Sequence, residues 1–246
     1  MEKTPTLYLI PVPISEVDLE FSLPSGNHKI LASLRHFFVE NVRTARRFLK
    51  LVDPGFPIGE CEFYELNRHT DPVELNEFLK PMKEGKDMGL MSEAGCPAVA
   101  DPGALIVAMA HKEGFRVVPL VGPSSIILSL MASGFNGQKF CFRGYLPIEK
   151  GEKEKELREL EALSAKDDMT QIFIETPYRN NKLIETITHT LRPDTMLCVA
   201  CNLTSPENEK VISVPVSKWK QMKYDFDKKP AIFLIYRHRE ERRIKR

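Results

Sequence analysis

The chain has 246 residues, a formal net charge of +1, 42% hydrophobic and 28% charged residues. That is enough apolar material for one large domain or two ordinary ones, and it gives no overall electrostatic pull toward nucleic acid or a membrane surface. No apolar run reaches the ~18 residues of a membrane-spanning helix, and the opening MEKTPTLYLIPVP does not read as a signal peptide. The expectation is a cytoplasmic protein with no membrane partner. Five cysteines in no paired framework fit a reducing compartment. Cys198 and Cys201 form a C-x-x-C inside a strand-like run, where residues three apart face opposite ways. They read as core rather than as a redox or zinc half-site, and no metal is expected.

Residues 6–12, TLYLIPV, predict a buried strand closed by prolines. HFFVE (36–40) predicts another, followed by a helix over NVRTARRFLKLV. CEFYELN (61–67) alternates as a strand does. Asp71 and Pro72 give a cap and first-turn signal for VELNEFLKPMKEG. DMGLM (87–91) reads as a strand, 104–113 as a helix and RVVPLV (116–121) as a strand. SSIILSLMASG (124–134) reads as a helix stopped by Gly134. KFCFRGY is a short strand, and EKGEKEKELRELEAL (149–163) is a helix whose charges are expected to face solvent. QIFIE (171–175) is a strand followed by the helix NKLIETITHTL. TMLCVAC, EKVISVPV and PAIFLIY complete the strands.

Strands alternating with helices predict an α/β protein, and about ten strands suit two sheets better than one. The reading is two α/β domains, 1–121 and 122–246, each with a mixed or mostly parallel sheet. The second ends in a basic tail, RHREERRIKR (237–246).

No G-x-G, Walker loop or H-E-x-x-H occurs, which excludes the usual nucleotide and zinc-hydrolase signatures. The informative segments are loops. In open α/β sheets, ligands sit beyond the carboxyl ends of strands. SEAGCPAVADPG (92–103) follows a strand there. Gly95 permits close backbone approach, the prolines stiffen the loop, and Asp101-Pro102 reads as a helix start. IPVPIS (10–15), VGPSS (121–125), IETPYRNN (174–181) and CNLTSPENE (201–209) are further strand-end loops. Together they suggest one shared cleft.

Taken in order, these loops carry P-x-P-I (11–14), S-E-A-G-x-P…D-P-G (92–103), G-P-S (122–124), F-x-G-Y-L-P (142–147), E-T-P-x-R (175–179) and A-x-x-L-T (200–204). The series resembles the tetrapyrrole methylase superfamily over about Thr6 to Leu203. Within that superfamily it is most similar to the branch that 2′-O-methylates a cytidine ribose of small-subunit ribosomal RNA. The resemblance implies an S-adenosylmethionine-dependent methyltransferase of two α/β domains. It implies the cofactor held in a cleft between them, mostly by backbone, and a homodimer acting on ribosomal RNA or the small ribosomal subunit. By position, Ile10, Pro11, Ala94, Gly95, Cys96, Val99, Ser124, Ser125, Ile126, Leu203, Pro230 and Ala231 carry over as cofactor contacts.

The chain also departs from that branch. Ser15-Glu16 stands where it has Gly-Asn. Glu40-Asn41-Val42-Arg43-Thr44-Ala45-Arg46 stands where it has E-D-T-R-R-T-R. Cys201-Asn202 replaces Arg-Glu in its A-R-E-L-T. The cofactor side is kept while polar residues on the substrate side differ. Glu16, Glu40 and Glu175 are the carboxylates near loop ends that could deprotonate a hydroxyl, and the sequence singles out none. Arg43, Arg46 and Arg47 form a basic helix face which, with Arg179, could meet RNA phosphates. Two other readings stay open: the same chemistry on a tetrapyrrole or other small molecule, and a cofactor-binding homologue with altered or lost activity.

Overall fold

The computed structural model describes residues 4–16, 18–66 and 77–238. The chain divides into two compact units, Met1–Ser124 and Ser125–Arg246. The first contains β1 (Thr6–Ile10), α1 (Leu19–Ser22), α2 (Ser25–Ser33), β2 (His36–Val39), α3 (Val42–Val52), β3 (Glu62–Glu65), α4 (Lys80–Lys83), β4 (Met88–Met91), α5 (Gly103–Lys112) and β5 (Arg116–Pro119). Its sheet runs β3-β2-β4-β1-β5, with every pair parallel.

Parallel neighbours need crossovers, so helices cover both faces and the central strands β1, β2 and β4 become largely apolar. On one face Ile10, Phe37, Val39 and Met91 pack with Leu31, Phe48 and Leu49. On the other, Leu7, Phe38, Met88 and Leu90 pack with Met82, Ile106 and Ala110. Phe37 and Phe38 fall on opposite faces, as the two-residue period of a strand requires. Gly89 lies between Ile10 and Phe37. A Cβ there would come 2.6 Å from Ile10 Cδ1 and 2.9 Å from Phe37 Cδ1.

Helix α3 starts where Asn41 Oδ1 accepts the Arg43 and Thr44 N–H groups at 2.9 and 3.3 Å. The helices α1 and α2 were not legible in the pattern. A tertiary bond helps hold this segment, with Asn27 Nδ2 donating to Val121 O at 2.9 Å. The expected helix start at Asp71-Pro72 and the tail from 239 onward lie outside the described residues.

The second unit contains α6 (Ser125–Ser133), β6 (Phe140–Tyr145), α7 (Lys150–Asp167), β7 (Thr170–Ile174), α8 (Asn180–Thr190), β8 (Met196–Cys201), β9 (Lys210–Pro215), α9 (Val216–Trp219) and β10 (Ala231–Tyr236). Its sheet is mixed, in the order β6-β7-β10-β8-β9. Only β6 and β7 pair in parallel; the other pairs are antiparallel. The loop 202–209 between β8 and β9 is too short for a crossover, so that pair must reverse.

Helix α6 covers one face through Ile126 and Leu130 against Ile172, Cys198, Ile232 and Leu234. On the other face Leu157, Leu183 and Trp219 pack against Phe173, Val199, Cys201 and Phe233. Cys198 and Cys201 therefore face opposite cores, both as free thiols. Burial pushes the Cys198 thiol up to about 12, which suits an inert core residue. No helix among the described residues is long and apolar enough to cross a membrane.

Helix α7 keeps most of its charge run toward solvent, with Lys150, Glu152, Lys155, Arg158 and Glu159 exposed, but two of its charges are buried. Lys153, Leu157, Leu160, Glu161 and Ser164 share its buried face, at the spacing of one helical stripe. Both buried charges are partnered. Glu161 accepts the Arg192 N–H at 2.9 Å and the Thr195 hydroxyl. The Lys153 ammonium donates to Glu175 Oε2 at 2.9 Å. Glu175 sits just past β7, and its Oε1 accepts Arg179 Nε and Nη2 at 3.0 and 2.7 Å and the Thr176 N–H at 2.8 Å. Burial alone would raise this carboxyl. The bonds from Arg179, Lys153 and Thr176 outweigh burial and hold it below its ordinary value.

Two measurements check this packing. Gly89→Ala should lower stability by about 1–3 kcal/mol through overpacking, read from the denaturant midpoint; an unchanged midpoint would mean that Ile10 and Phe37 relax freely. Because the folded pKa of Glu175 is depressed, its contribution is present above the ordinary carboxyl value of 4.5 and is lost as pH falls through the folded value. Glu175→Gln should therefore cost about 3 kcal/mol near neutrality, and the gap to wild type should close in acid. A gap independent of pH would remove charge from the explanation.

Candidate functional site

At the carboxyl edge of the first sheet, the loops leaving β1, β4 and β5 are tied to one another. The Val12 N–H donates to Gly95 O at 3.0 Å, and the Gly95 N–H donates to Val12 O at 3.1 Å. Cys96 Sγ donates to Pro123 O at 3.3 Å. Gly122 lies so close to Pro11 that a Cβ there would be 2.2 Å from the ring Cγ. Ile10, Pro11, Ala94, Gly95, Cys96 and Ser124 are thereby held at one edge.

Their roles differ from a simple row of contacts. Ile10 and Pro11 are buried, and the Ile10 side chain packs in the core. Gly95 has φ +74° and uses its N–H and its carbonyl oxygen on Val12. Ala94 and Val99 are exposed and Cys96 is half-buried; these present a small, uncharged surface.

The rest of the 92–102 loop is held under strain. Ala98 and Ala100 both have φ +64°, a left-handed conformation that costs an L-residue about 1–2 kcal/mol. Asp101 pins it. Both carboxylate oxygens accept the Ala98 N–H at 2.9 Å, and Oδ1 also accepts the Gly103 N–H at 2.7 Å. Helix α5 begins at Gly103 with Pro102 at the cap, one residue past the expected Asp101 cap and one before the expected first residue at 104. Burial raises the Asp101 carboxyl despite the bonds from Gly103 and Ala98.

Beside this loop is a cavity of about 530 Å³ lined by Glu40, Asn41, Leu66, Glu93, Ala100, Asp101 and Pro102. That volume lies in the range of small-molecule sites. Glu40 directly follows β2, and its Oε1 accepts the Glu93 N–H at 3.0 Å. The Thr44 hydroxyl reaches Glu93 Oε1 at 3.5 Å. The three carboxylates considered as bases are thus separated by their surroundings. Glu16 is exposed and paired with Arg47 at 3.1 Å, Glu175 is locked between Lys153 and Arg179, and Glu40 lines the cavity. Glu93 and Leu66 were missed in the sequence; their position just past β4 and β3 was the available signal.

The arginines of α3 are all exposed. Arg46 lies 5.2 Å over the Phe63 ring and Arg47 holds Glu16, so Arg43 is the one nearest Asn41 and the cavity in the chain.

In the second unit, Leu203, Pro230 and Ala231 are gathered at one end of the β8–β10 pair. Cys201 stands opposite Ala231, and the Asn202 N–H donates to Pro230 O at 3.0 Å. Leu203 and Ala231 are buried. Ser125 and Ile126 open α6, where Ile126 packs onto the core.

A family model of tetrapyrrole (corrin/porphyrin) methylases matches residues 7–219. A ribosomal RNA small subunit methyltransferase I of Bacillus subtilis is 33% identical over 204 residues, covering 82% of this chain and 65% of that protein. The protein of the same name from Vibrio cholerae is 30% identical over 200 residues, covering 81% and 65%. The chain thus spans just under two thirds of the length of these relatives. A solved cobalt precorrin-4 methyltransferase aligns with TM-score 0.59 at 18% identity over 94% of both chains, a likeness of fold alone. With the match running through both sheets, from β1 to α9, the chain belongs to the tetrapyrrole (corrin/porphyrin) methylase family.

Proposed function

We propose that this protein transfers a methyl group from S-adenosylmethionine to a ribose 2′-hydroxyl of small-subunit ribosomal RNA. The observation that carries the reading is the tied set of loops beside the 530 Å³ cavity, in a chain whose relatives at 30% and 33% identity are named ribosomal RNA small subunit methyltransferase I. The cofactor fits the chemistry of the donor set. Ala94, Cys96 and Val99 offer small uncharged surface and peptide groups; Gly122 leaves no room for a side chain where the loops meet, and Gly95 at φ +74° would strain one. Ser124, Ser125, Ile126, Leu203, Pro230 and Ala231 complete the proposed contacts. S-adenosylmethionine, when bound, supplies an electrophilic methyl group on a sulfonium.

The protein's own contribution is placement and proton handling. Loops already fixed by Asp101 and by the Val12–Gly95 bonds lose little freedom when a ligand binds, and holding the reactants in line supplies up to ~7–11 kcal/mol. A neutral hydroxyl is a weak nucleophile. Glu40, oriented by the Glu93 N–H, accepts its proton as the oxygen–carbon bond forms, an effect of about 10²–10⁴-fold. Arg43, Arg46 and Arg179 are the proposed phosphate contacts. A homodimer and a cytoplasmic location, where the five free cysteines stay reduced, belong to the same proposal.

Thermal unfolding should shift upward with S-adenosylmethionine; at 100 times the dissociation constant the gain is about 2.7 kcal/mol. Labelled donor should mark ribosomal RNA in isolated small subunits and leave porphyrinoid precursors unlabelled. The reverse pattern would favour a small-molecule acceptor, and labelling of neither would favour a donor-binding homologue. Glu40→Gln should lower kcat by about 10²–10⁴-fold with donor binding retained. A kcat within a few-fold of wild type would remove Glu40 as the base.

A further inference from the structure

We propose that the exposed end of the β6–β7 pair binds single-stranded RNA, with Tyr145 and Tyr178 as stacking faces for bases and Arg179 as a phosphate contact. This deepens the ribosomal RNA reading by naming the form of RNA held and a surface that holds it.

The two tyrosines are among the most exposed large side chains described, at 56% for Tyr145 and 74% for Tyr178. Local backbone sets both in place. The β6–β7 register shifts between Phe142 and Tyr145, and Gly144 in that stretch has φ +67°. Such a bulge re-aims the side chain that follows it. Tyr145 stands opposite Ile174, the last residue of β7, so it lies beside the segment that starts at Glu175. Tyr178 sits in the single turn Pro177–Arg179. The far side of that turn is anchored where the Lys228 N–H donates to Pro177 O at 2.9 Å.

The charge at this end is set by the buried triad. Glu175 is already matched by the Lys153 ammonium at 2.9 Å, with side-chain exposures of 3% and 10%. Arg179 adds a second cation to one carboxylate, so the group is net positive, and its exposed member is the guanidinium. Lys228, joined to the turn through its N–H, is exposed; Lys150 is paired with Glu154 at 3.9 Å, and the Asp227 carboxylate accepts the Asn181 N–H at 3.0 Å. The neighbouring carboxylate of Glu149 is turned to accept the Glu152 N–H at the start of α7, at 3.0 Å.

Accessible aromatic faces beside a surface cation suit unstacked bases on a phosphate backbone. A duplex keeps its bases stacked inside and cannot offer them. A protein partner would be recognised by apolar burial without a need for anionic groups.

The test uses the full chain and a fluorescently labelled single-stranded RNA hexanucleotide, with anisotropy as the readout. Tyr178→Ala and Tyr145→Ala should each weaken binding by about 5- to 100-fold, and Tyr178→Phe should not. Arg179→Gln should weaken binding and reduce the slope of log affinity against log salt by about 0.7. Thermal unfolding and S-adenosylmethionine binding should be unchanged in the tyrosine variants. Wild-type affinity in both tyrosine variants, or equal binding of an RNA duplex, overturns the proposal. So does conversion of a dimer to a monomer in sedimentation by Tyr178→Ala, which would make this patch an interface between copies. If the hexanucleotide results hold while ribosomal subunits are not methylated, the surface stands and the methylation reading falls.

Discussion

Two hydrogen bonds between Val12 and Gly95 organise the edge of the first sheet. β1 and β4 run parallel, and their exit loops leave on the same side. The Val12–Gly95 pair joins those loops as a single antiparallel bridge, which fixes how far apart they can be. It also spends the peptide groups of Gly95 and holds that residue at φ +74°, where any other residue would be strained. The Cys96–Pro123 bond and the Pro11–Gly122 contact depend on that spacing. So does the placement of Ala94 and Val99 at the exposed surface.

The strain in the same loop has a local counterweight. Two alanines in left-handed conformations would not persist on an unsupported loop. The Asp101 carboxylate takes the Ala98 and Gly103 amides together, so a charge half-buried at the start of a helix becomes the clamp of the loop before it. A loop ordered in advance gives up less entropy to a ligand.

Charge is handled differently in the second unit. Lys153 and Glu175 are buried, and such a pair gains little net stability over an apolar one. Its effect is geometric: it fixes the Glu175 carboxylate that in turn aims Arg179. The result is a defined cation at the end of β7, whereas the first unit has a carboxylate-lined cavity at the ends of β2 and β4. The two strand edges therefore offer opposite electrostatics, with Glu40 one position past β2, Glu93 two past β4, and Glu175 and Arg179 one and five past β7.

The alternation of apolar runs with amphipathic segments determined nearly every strand and the longer helices, because burial on both sheet faces forces unbroken apolar runs at β2, β4, β8 and β10. The order of the P-x-P-I, S-E-A-G and E-T-P-x-R motifs was enough to reach the family. The helices between 18 and 33 escaped notice because bonds distant in sequence, such as Asn27 to Val121, hold them. Lys153 was misread because a charge pattern cannot show that a carboxylate twenty-two residues away waits to pair with it. Only the tertiary structure could place Glu40 on a cavity, Glu16 on an arginine and Glu175 in a locked triad. Those outcomes depend on which strand ends become neighbours, and hydrophobic periodicity fixes which face of a strand is buried without fixing which strand lies beside it.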